Sequence, residues 1–316
     1  MTRSISSVVV PVLNGGAVWR RCAEALSRQT GCEFRTLVVD SGSVDGSTEV
    51  AVEYGFQLLE ISKEEFDHGG TRQRAARILE DSEIIVYLTQ DAVLEGTTSL
   101  ARIVSAFDDP RVGTAYGRQL PREGAGPIEA HARLFNYPAE SALKTLDDAR
   151  RLGIKAAFTS NSFAAYRTTA LFGVGGFPEQ LILAEDQVVA ARMLKAGWAI
   201  AYVADACVRH SHDYSPVEEF KRYFDLGVFH RDHRWILDEF GQPEGEGVRY
   251  VMSELRYLAK RAPWAIPSAI ARTAGKYAGY KLGQRYDRLP RSLWRKLSMH
   301  RRYWDRMERH SGLESI

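Results

Sequence analysis

The stretch EIIVYLTQDA, residues 83–92, decides the fold class, because an apolar run ends directly in Thr89, Gln90 and Asp91. The same pattern occurs twice upstream: the apolar run 5–13 precedes Asn14, and the run 34–39 precedes Asp40. Between these runs lie segments with helical spacing of apolar residues, at 17–29, 48–54 and 71–79, and one more β-rich run, at 56–61. Strands alternating with helices predict an α/β fold with a mostly parallel, Rossmann-like sheet flanked by helices.

In such a sheet, ligands bind beyond the carboxyl ends of the strands. Asn14, Asp40 and Asp91 stand at three of these ends and are therefore candidate site residues. Further along, the pattern predicts helices at 100–107, 128–151, 185–196 and 216–240, and strands at 112–117, 156–166 and 199–203.

The composition is that of a globular protein. The 316 residues include 42 Lys and Arg, 40 Asp and Glu, and 45% hydrophobic residues. Three cysteines without CxxC spacing argue against a disulfide framework or a cysteine-built zinc site. No apolar stretch reaches the roughly 18 residues of a membrane-spanning helix. The first apolar run is too short for a signal peptide, so we expect a cytoplasmic protein.

Charge is distributed unevenly along the chain, although the net charge is close to zero. Residues 251–316 carry 15 Lys and Arg against 5 Asp and Glu, and aromatic residues interrupt the basic ones. A Gly/Pro/Glu-rich linker at 241–247 precedes this region. Two interpretations stay open: docking on an anionic membrane surface, or a helical bundle whose aromatic residues face the acidic part of the chain. Nucleic-acid binding ranks lowest, because no recognised motif accompanies the charge.

Eight motifs in this order resemble glycosyltransferase family 2, the inverting nucleotide-sugar enzymes with a GT-A fold. More narrowly they are similar to bacterial rhamnosyltransferases of O-antigen and other polysaccharide synthesis. The motifs are VVVPVLNGG (8–16), LVVDSGSVDGS (37–47), FDHGGTRQ (66–73), YLTQDA (87–92), FTSNSFAAYR (158–167), GGFPE (175–179), AEDQVVAARMLKAGW (184–198) and HSH (210–212). They cover roughly residues 5–235.

The resemblance implies that Asp40 accepts hydrogen bonds from the nucleotide base. Asp40 also opens a turn, and both roles are compatible. The other residues implied in nucleotide-sugar binding are Pro11, Asn14, Ser43, Gly69, Gly70, Arg72 and Gln90. For Gly69, Gly70 and Arg72 the physical argument is that backbone N–H groups at a helix start, together with a guanidinium, suit a diphosphate. The alternative is a glycine turn with Thr71 as the N-cap.

Gln90 and Asp91 occupy the place of the Asp-x-Asp motif of most of the superfamily. One carboxylate at a strand end can bind Mg²⁺ or Mn²⁺, which would bridge the donor phosphates. A further ligand would come from His210 or His212, of which we favour His212. An imidazole ligand tilts the preference toward Mn²⁺. The alternative is a polar loop with one packed histidine.

Glu185 and Asp186 precede the helix at 185–196. Inverting transfer needs a base that removes a proton from the acceptor hydroxyl. The resemblance assigns this role to Asp186, with Glu185 positioning it or contacting the acceptor. The alternative is that both acids only stabilise a helix N-terminus.

The resemblance thus implies an inverting, metal-dependent glycosyltransferase. It would transfer L-rhamnose from dTDP-L-rhamnose to a saccharide acceptor, with a polyprenyl-diphosphate-linked acceptor at the cytoplasmic face of the inner membrane as one form. The alternatives are a UDP-hexose donor or a non-catalytic nucleotide-sugar- or saccharide-binding protein. We expect a GT-A catalytic domain over residues 1–240, a basic, aromatic-rich helical region over 248–316, and no nucleic-acid partner.

Overall fold

The computed structural model describes residues 6–241 and 245–313, with side chains up to residue 309. The middle of the linker predicted at 241–247 lies outside these ranges. The first half of the chain confirms the predicted alternation of strands and helices. Its elements are β1 (Ser6–Val12), α1 (Gly16–Ser27), β2 (Phe34–Asp40), α2 (Ser47–Glu53), β3 (Gln57–Glu60), α3 (His68–Ile78), β4 (Ile84–Leu88), β5 (Val93–Leu94), α4 (Ser99–Ser105) and β6 (Val112–Leu120).

The second half contains more short elements than the sequence predicts. They are α5 (Pro127–Asn136), β7 (Ala142–Lys144), α6 (Ala149–Leu152), β8 (Phe163–Arg167), α7 (Thr168–Gly173), α8 (Glu185–Lys195), β9 (Ala199–Arg209), α9 (Pro216–Asp232) and α10 (Arg234–Phe240). The basic region forms α11 (Glu246–Arg261), α12 (Ile266–Gly283), α13 (Arg291–Leu297) and α14 (Arg301–Leu313).

Within the described residues the strands form one sheet with the order β3-β2-β1-β4-β8-β6-β9-β5, and β7 pairs with β9. Strands β1 to β4 are mutually parallel, and β6 and β9 are parallel to each other. Strand β8 is antiparallel to both β4 and β6, which gives β4, β6 and β9 one direction. The carboxyl ends of β1, β2, β4, β6 and β9 therefore meet at the same edge.

Several sequence-based boundaries were wrong, and the single helix predicted at 216–240 is divided at His233 into α9 and α10. The helix predicted at 128–151 ends at Asn136, because Tyr137 precedes a proline and that position disfavours helical backbone. The strand predicted at 156–166 begins only at Phe163, since the short apolar run before it forms a 3₁₀ turn. Helix α3 starts at His68 rather than at Thr71, because the Asp67 side chain caps it by accepting from the Gly70 N–H at 2.7 Å.

Strand β9 is also longer than predicted, with a direct consequence for the site. The prediction ended at residue 203, whereas the strand continues to Arg209. A register shift against β6, between Gly117 and Arg118, lets the pairing continue past the irregular stretch. Because of this extension, His210 follows the strand directly at the carboxyl edge.

Side chains alternate between the two faces of the sheet and bury a hydrophobic cluster on each. Val8, Val10 and Leu88 belong to the cluster covered by α1, α2 and α4. The cluster on the opposite face includes Val9 and Tyr87, residues of α3, α8, α9 and α10, and also Tyr286 and Trp304. The C-terminal region thus contributes to the main core.

Helices α9 and α12 approach each other closely through glycines. A Cβ atom at Gly283 would lie 2.0 Å from the Phe224 carbonyl oxygen, and one at Gly227 would lie 2.3 Å from that of Tyr280. Helix α12 of the basic region therefore packs closely on α9, and docking of its exposed face on a membrane stays a prediction. In the described part of the chain, no helix is long and apolar enough to cross a bilayer.

Candidate active site

The carboxyl edge of the sheet gathers the polar residues that the sequence places at strand ends. Asp40 closes β2 and lies in register with Val12 of β1, next to Asn14. Asp91 follows β4, and His210 follows β9. The His210 Nε2 atom lies 3.4 Å from Asp91 Oδ2, which establishes that distant parts of the chain meet here.

The Asp40 carboxylate has one engaged and one unengaged oxygen. Its Oδ2 accepts hydrogen bonds from the Gly42 and Ser43 N–H groups, both at 2.9 Å, which forms the predicted turn. Its Oδ1 is buried and has no hydrogen-bond partner among the described residues. A buried carboxylate oxygen without a donor is costly, so this atom is suited to a ligand N–H.

Several predicted donor-site residues form hydrogen bonds that hold the surrounding loops together. The Asn14 N–H donates to Ser43 Oγ at 2.9 Å, and Asn14 Oδ1 accepts from the Val44 N–H at 2.9 Å. The Gln90 amide bonds both the N–H and the carbonyl of Leu13. Pro11 is half-buried in β1. The structure brings these residues together at the edge, and their contact with a nucleotide stays a prediction.

Arg72, Gly69 and Gly70 lie in the first turns of α3 rather than before it. A Cβ atom at Gly69 would lie 1.7 Å from the Pro178 carbonyl oxygen, so this glycine permits close packing. Arg72 is buried, forms an ion pair with Glu185 at 3.0 Å, and donates to the His68 carbonyl. A diphosphate contact of these residues stays a prediction, whereas the pairing with Glu185 was not foreseen.

Asp91, His210 and His212 form a cluster whose ligand atoms all lie within 4.8 Å of one another. Burial tends to raise the pKa of Asp91, but the contacts with His210, Thr89 and His212 outweigh it, and the pKa lies below its ordinary value. Burial and the neighbouring His210 lower the pKa of His212 to about 4. At neutral pH the carboxylate is therefore ionised and His212 is neutral, which are the forms that bind metals.

The orientation of His210 also fits a cation. Gln119 Oε1 accepts from Arg133 at 2.8 Å and lies 2.9 Å from His210 Nδ1, so Nδ1 is the donor. When His210 is neutral, its Nε2 then presents a lone pair to Asp91. Two electron-rich atoms facing each other are stabilised by a cation between them, and the Gln119 contact is the outer support that ligating histidines ordinarily have. The donor set therefore fits a divalent ion.

Glu185 and Asp186 begin α8 from a strained position. The preceding residue, Ala184, has φ 63°, a left-handed conformation that is rare and strained for non-glycine residues and is found repeatedly at functional sites. Asp186 accepts hydrogen bonds from the Asn161 N–H at 3.1 Å and the Gln187 N–H at 2.8 Å. Asn161 also donates to Glu185 at 3.1 Å and accepts from the Tyr166 hydroxyl at 2.8 Å. Both carboxylates are therefore held in place.

The two acids have opposite pKa shifts. Burial raises the pKa of Asp186, and the adjacent negative charge of Glu185 raises it further. Burial opposes ionisation of Glu185 as well, but the Arg72 guanidinium, together with His68 and the hydrogen bond from Asn161, outweighs it, and the pKa of Glu185 is lowered. Asp186 is thus the group of the pair that can take up a proton near neutral pH.

A chain of contacts joins the histidine cluster to Asp186. From His210 it runs through Gln119, whose amide donates to Ser160 Oγ at 2.9 Å. Ser160 precedes Asn161, whose N–H bonds Asp186. Asn161 lies in the quoted FTSNSFAAYR motif and was detectable there, whereas nothing in the sequence around Gln119 pointed to a role.

Two cavities adjoin the carboxyl edge of the sheet, one next to Leu13 after β1 and one next to His212. One of about 610 Å³ is lined by Leu13 after β1, by His68 and by residues 180–182, and α14 closes it with Arg306. The other, of about 560 Å³, extends from His212 to Trp264 between α5, α9, α11 and α12. Asp186 itself lines neither cavity, and the arrangement offers a cation site at Asp91, a place for a nucleotide at the strand ends, and a buried carboxylate that can act as a base.

Comparison with known proteins adds independent findings. The family model described as glycosyl transferase family 2 matches residues 7–172. The chain is 46% identical to the O-antigen chain rhamnosyltransferase WbaN of Salmonella anatum, over 98% of both chains. It is 43% identical to the O-antigen chain rhamnosyltransferase RfbN of Salmonella typhimurium, again over 98% of both chains.

Solved structures show the same fold. The mannosyltransferase PcManGT of Pyrobaculum calidifontis, in complex with GDP-Man and Mn²⁺, aligns with a TM-score of 0.56 at 20% identity, over 96% of this chain and 86% of that one. Staphylococcus aureus TarS 1–349 in complex with UDP-GlcNAc aligns with a TM-score of 0.52 at 18% identity, over 90% and 91%. The predicted GT-A fold with C-terminal helices is confirmed.

Proposed function

The chain belongs to glycosyltransferase family 2 and is a glycosyltransferase, and we propose that it transfers L-rhamnose from dTDP-L-rhamnose to a saccharide acceptor in O-antigen synthesis. The geometric observation that supports this most is the contact chain from the Asp91 cluster to Asp186. It holds a leaving-group site and a base in one rigid frame, as transfer between two bound substrates requires. The rhamnosyl donor is inferred from the two Salmonella relatives.

On the donor side, the free oxygen of Asp40 would accept the imide N–H of the thymine base. Asn14, Ser43 and Gln90 would hold the surrounding loops in shape through the bonds they already make. Pro11 would line the same pocket, and Gly69, Gly70 and Arg72 its far wall. This arrangement selects a base with an N–H at that position, which thymine and uracil share.

Asp91 and His212 would hold the divalent cation, together with His210. When bound, Mg²⁺ or Mn²⁺ neutralises the charge that builds on the departing nucleoside diphosphate. The two imidazoles favour Mn²⁺ over Mg²⁺. Gln119 keeps the His210 Nε2 lone pair directed at the cluster.

Asp186 would act as the base. As the acceptor oxygen attacks the anomeric carbon, its proton passes to the carboxylate, and the bond from carbon to the phosphate oxygen breaks with the electron pair leaving on the diphosphate. Attack opposite to the leaving group inverts the anomeric carbon. The raised pKa of Asp186 suits this role, because a base with a pKa close to the working pH accepts a proton effectively. Glu185, fixed by Arg72 and Asn161, is the adjacent charge that helps to raise the pKa of Asp186.

We test donor and base together. The full-length protein is incubated with dTDP-L-rhamnose, UDP-glucose, UDP-galactose or GDP-mannose, polyprenyl-diphosphate-linked acceptors and Mn²⁺, and products are identified by mass spectrometry. We expect rhamnosyl transfer, its loss in Asp186→Asn with donor binding retained, and full activity in the exposed control Asp147→Asn. Transfer from a UDP-hexose alone would establish the alternative donor, and turnover by Asp186→Asn would remove the base assignment.

A peripheral position at the cytoplasmic face of the inner membrane is part of the proposal. Ile270 and Tyr277 lie seven positions apart on α12, hence on one face, and are 55% and 66% exposed amid basic residues. Deleting residues 251–316 would remove Tyr286 and Trp304 from the core, so point substitutions are the sharper test. Ile270→Asp with Tyr277→Ala should reduce sedimentation with anionic liposomes, unlike Val52→Asp at an exposed site on α2. Equal sedimentation would exclude this face.

A further inference from the structure

The C-terminal helix α14 reaches the start of α3 through one arginine. Arg306 Nη1 lies 3.4 Å from Asp67 Oδ2. Its Nη2 donates to the carbonyl of Glu64, at 2.7 Å, and to that of Phe66. The Arg306 and Asp67 side chains are only 25% and 15% exposed, so solvent screens the ion pair less than at an open surface. One guanidinium therefore fixes both the backbone before α3 and the carboxylate that caps this helix.

Asp67 connects two segments that are distant in the sequence. Its Oδ1 accepts the Gly70 N–H at 2.7 Å inside α3, and the Gln180 N–H at 3.3 Å in the loop before α8. Gln180 has φ 58°, a left-handed conformation that costs free energy in a non-glycine residue. The loop that begins here ends at the equally left-handed Ala184, next to the two acids of α8. Asp67 therefore helps to hold a strained loop in shape.

Helix α14 is itself firmly anchored. Trp304, two positions before Arg306, is buried and packs against the Trp294 ring, with centroids 5.0 Å apart. Just before the helix, the Met299 N–H donates to the buried Asp225 of α9 at 2.9 Å. The Arg306 guanidinium is thus carried by a helix that is fixed to the rest of the fold at two points.

A displacement of the Asp67 region would reach the two acids of α8 by a short route. Asp67, Gln180 and Arg306 all line the cavity of about 610 Å³ next to Leu13. The start of α3 also packs on the start of α8, since a Cβ atom at Gly69 would lie 3.5 Å from that of Glu185. Packed elements transmit such shifts, because protein interiors leave little free space.

We propose that Arg306 is a positioning residue for the transfer reaction. Through Asp67 it holds the loop 180–184 and the start of α3, and so keeps Asp186 where it can remove the acceptor proton. In this role Arg306 touches none of the reacting atoms. The inference rests on the proposed function, because it takes Asp186 as the base. It gives the basic C-terminal region a part in catalysis besides the membrane contact proposed above.

Steady-state kinetics of the full-length protein with Mn²⁺ measure kcat and the KM of the donor, using whichever nucleotide sugar the wild type turns over. Arg306→Met removes the guanidinium and keeps most of the apolar volume. We expect kcat to fall about tenfold, while the donor KM and the Mn²⁺ affinity stay within about twofold of the wild type. Arg306→Lys should restore part of kcat, because an ammonium can still pair with Asp67. Arg309→Met is the matched control, since Arg309 is exposed and donates to the Asp305 carbonyl of its own helix.

A double-mutant cycle tests whether Arg306 acts through Asp67. Asp67→Asn keeps an oxygen for the Gly70 and Gln180 N–H groups but loses the charge that faces the guanidinium. The double variant should therefore have the kcat of Arg306→Met alone. If Arg306→Met does not fold, Arg306→Lys takes its place in the cycle.

Three outcomes would overturn the proposal. They are additive losses of kcat in the double variant, a kcat of Arg306→Met within about twofold of the wild type, and a raised donor KM at unchanged kcat, which would assign Arg306 to direct donor binding. Failure of the proposed function is recognised separately, by the absence of transfer from dTDP-L-rhamnose in the wild type or by turnover in Asp186→Asn.

Discussion

Replacing Arg72 by methionine tests whether this residue fixes Glu185, as the structure shows, or serves chiefly the donor. The two side chains are only 7% and 8% exposed, and the Nη1 to Oε1 distance is 3.0 Å. Arg72→Met keeps the apolar volume and removes the charge. The substitution therefore leaves a buried carboxylate that has lost its counterion.

The expected loss in the free energy of unfolding follows from these contacts. Removing one partner of a buried ion pair destabilises by about 3–5 kcal/mol. Glu185 keeps its hydrogen bond from Asn161 at 3.1 Å, which favours the lower end, so we expect a loss of about 3 kcal/mol at neutral pH. The lowered pKa of Glu185 means that the pair contributes stability above the ordinary pKa of a glutamate, and that this contribution is lost as pH falls through the lowered value. The difference between variant and wild type should therefore shrink in acid.

Urea unfolding followed by tryptophan fluorescence measures this free energy in wild type, Arg72→Met, Glu185→Gln and the double variant. The double variant should recover at least half of the loss of Arg72→Met, because no uncompensated charge remains. A loss below about 1 kcal/mol in Arg72→Met, or strict additivity in the double variant, would refute the reasoning.

Three further predictions concern the base, the cluster and the core. The rate of transfer should fall as pH drops through the raised pKa of Asp186, because the base acts only when it is ionised. The assay is nucleoside diphosphate release under saturating substrates, and a rate that stays constant between pH 5 and 8 would contradict the prediction. Gln119→Leu should weaken Mn²⁺ binding about 10- to 100-fold in calorimetry by releasing the His210 ring, and unchanged affinity would exclude the supporting role. Trp304→Ala, at 1% exposure, should cost about 3–5 kcal/mol in urea unfolding, whereas an unchanged main transition would show that the C-terminal helices fold apart from the sheet.

The order of strands and helices in the first half of the chain was predictable because local patterns suffice there. An apolar run that ends in a polar residue specifies a buried strand and its exit, as at Leu88 and Asp91. In the second half, short elements such as β7 and β8 are specified by pairing with strands distant in the chain. The sequence of β7 alone fits a helix as well as a strand, which is why it was included in the helix predicted at 128–151, whereas the strand predicted at 156–166 was wrong only in its start.

The residues of the candidate site also fall into those that the sequence predicts and those that only the tertiary structure reveals. Motifs pointed to Asp40, Asp91, Asp186 and the HSH histidines, since each carries its chemistry in the residue type and stands at a recognisable strand or helix end. No local pattern pointed to Gln119 or to the Arg72–Glu185 pair. These contacts join residues separated by about a hundred positions, and only the closed fold brings such atoms within bonding distance.

By itself the sequence determined the fold class, the strand ends that carry polar residues, and the basic character of the C-terminal region, because residue type and spacing are local properties. Tertiary structure alone decided that Trp304 belongs to the main core, that Arg72 neutralises Glu185, and that Gln119 meets His210. The burial and pairing of a side chain depend on which surfaces meet. Whether an opposite charge lies beside it is therefore decided only when the helices and strands pack.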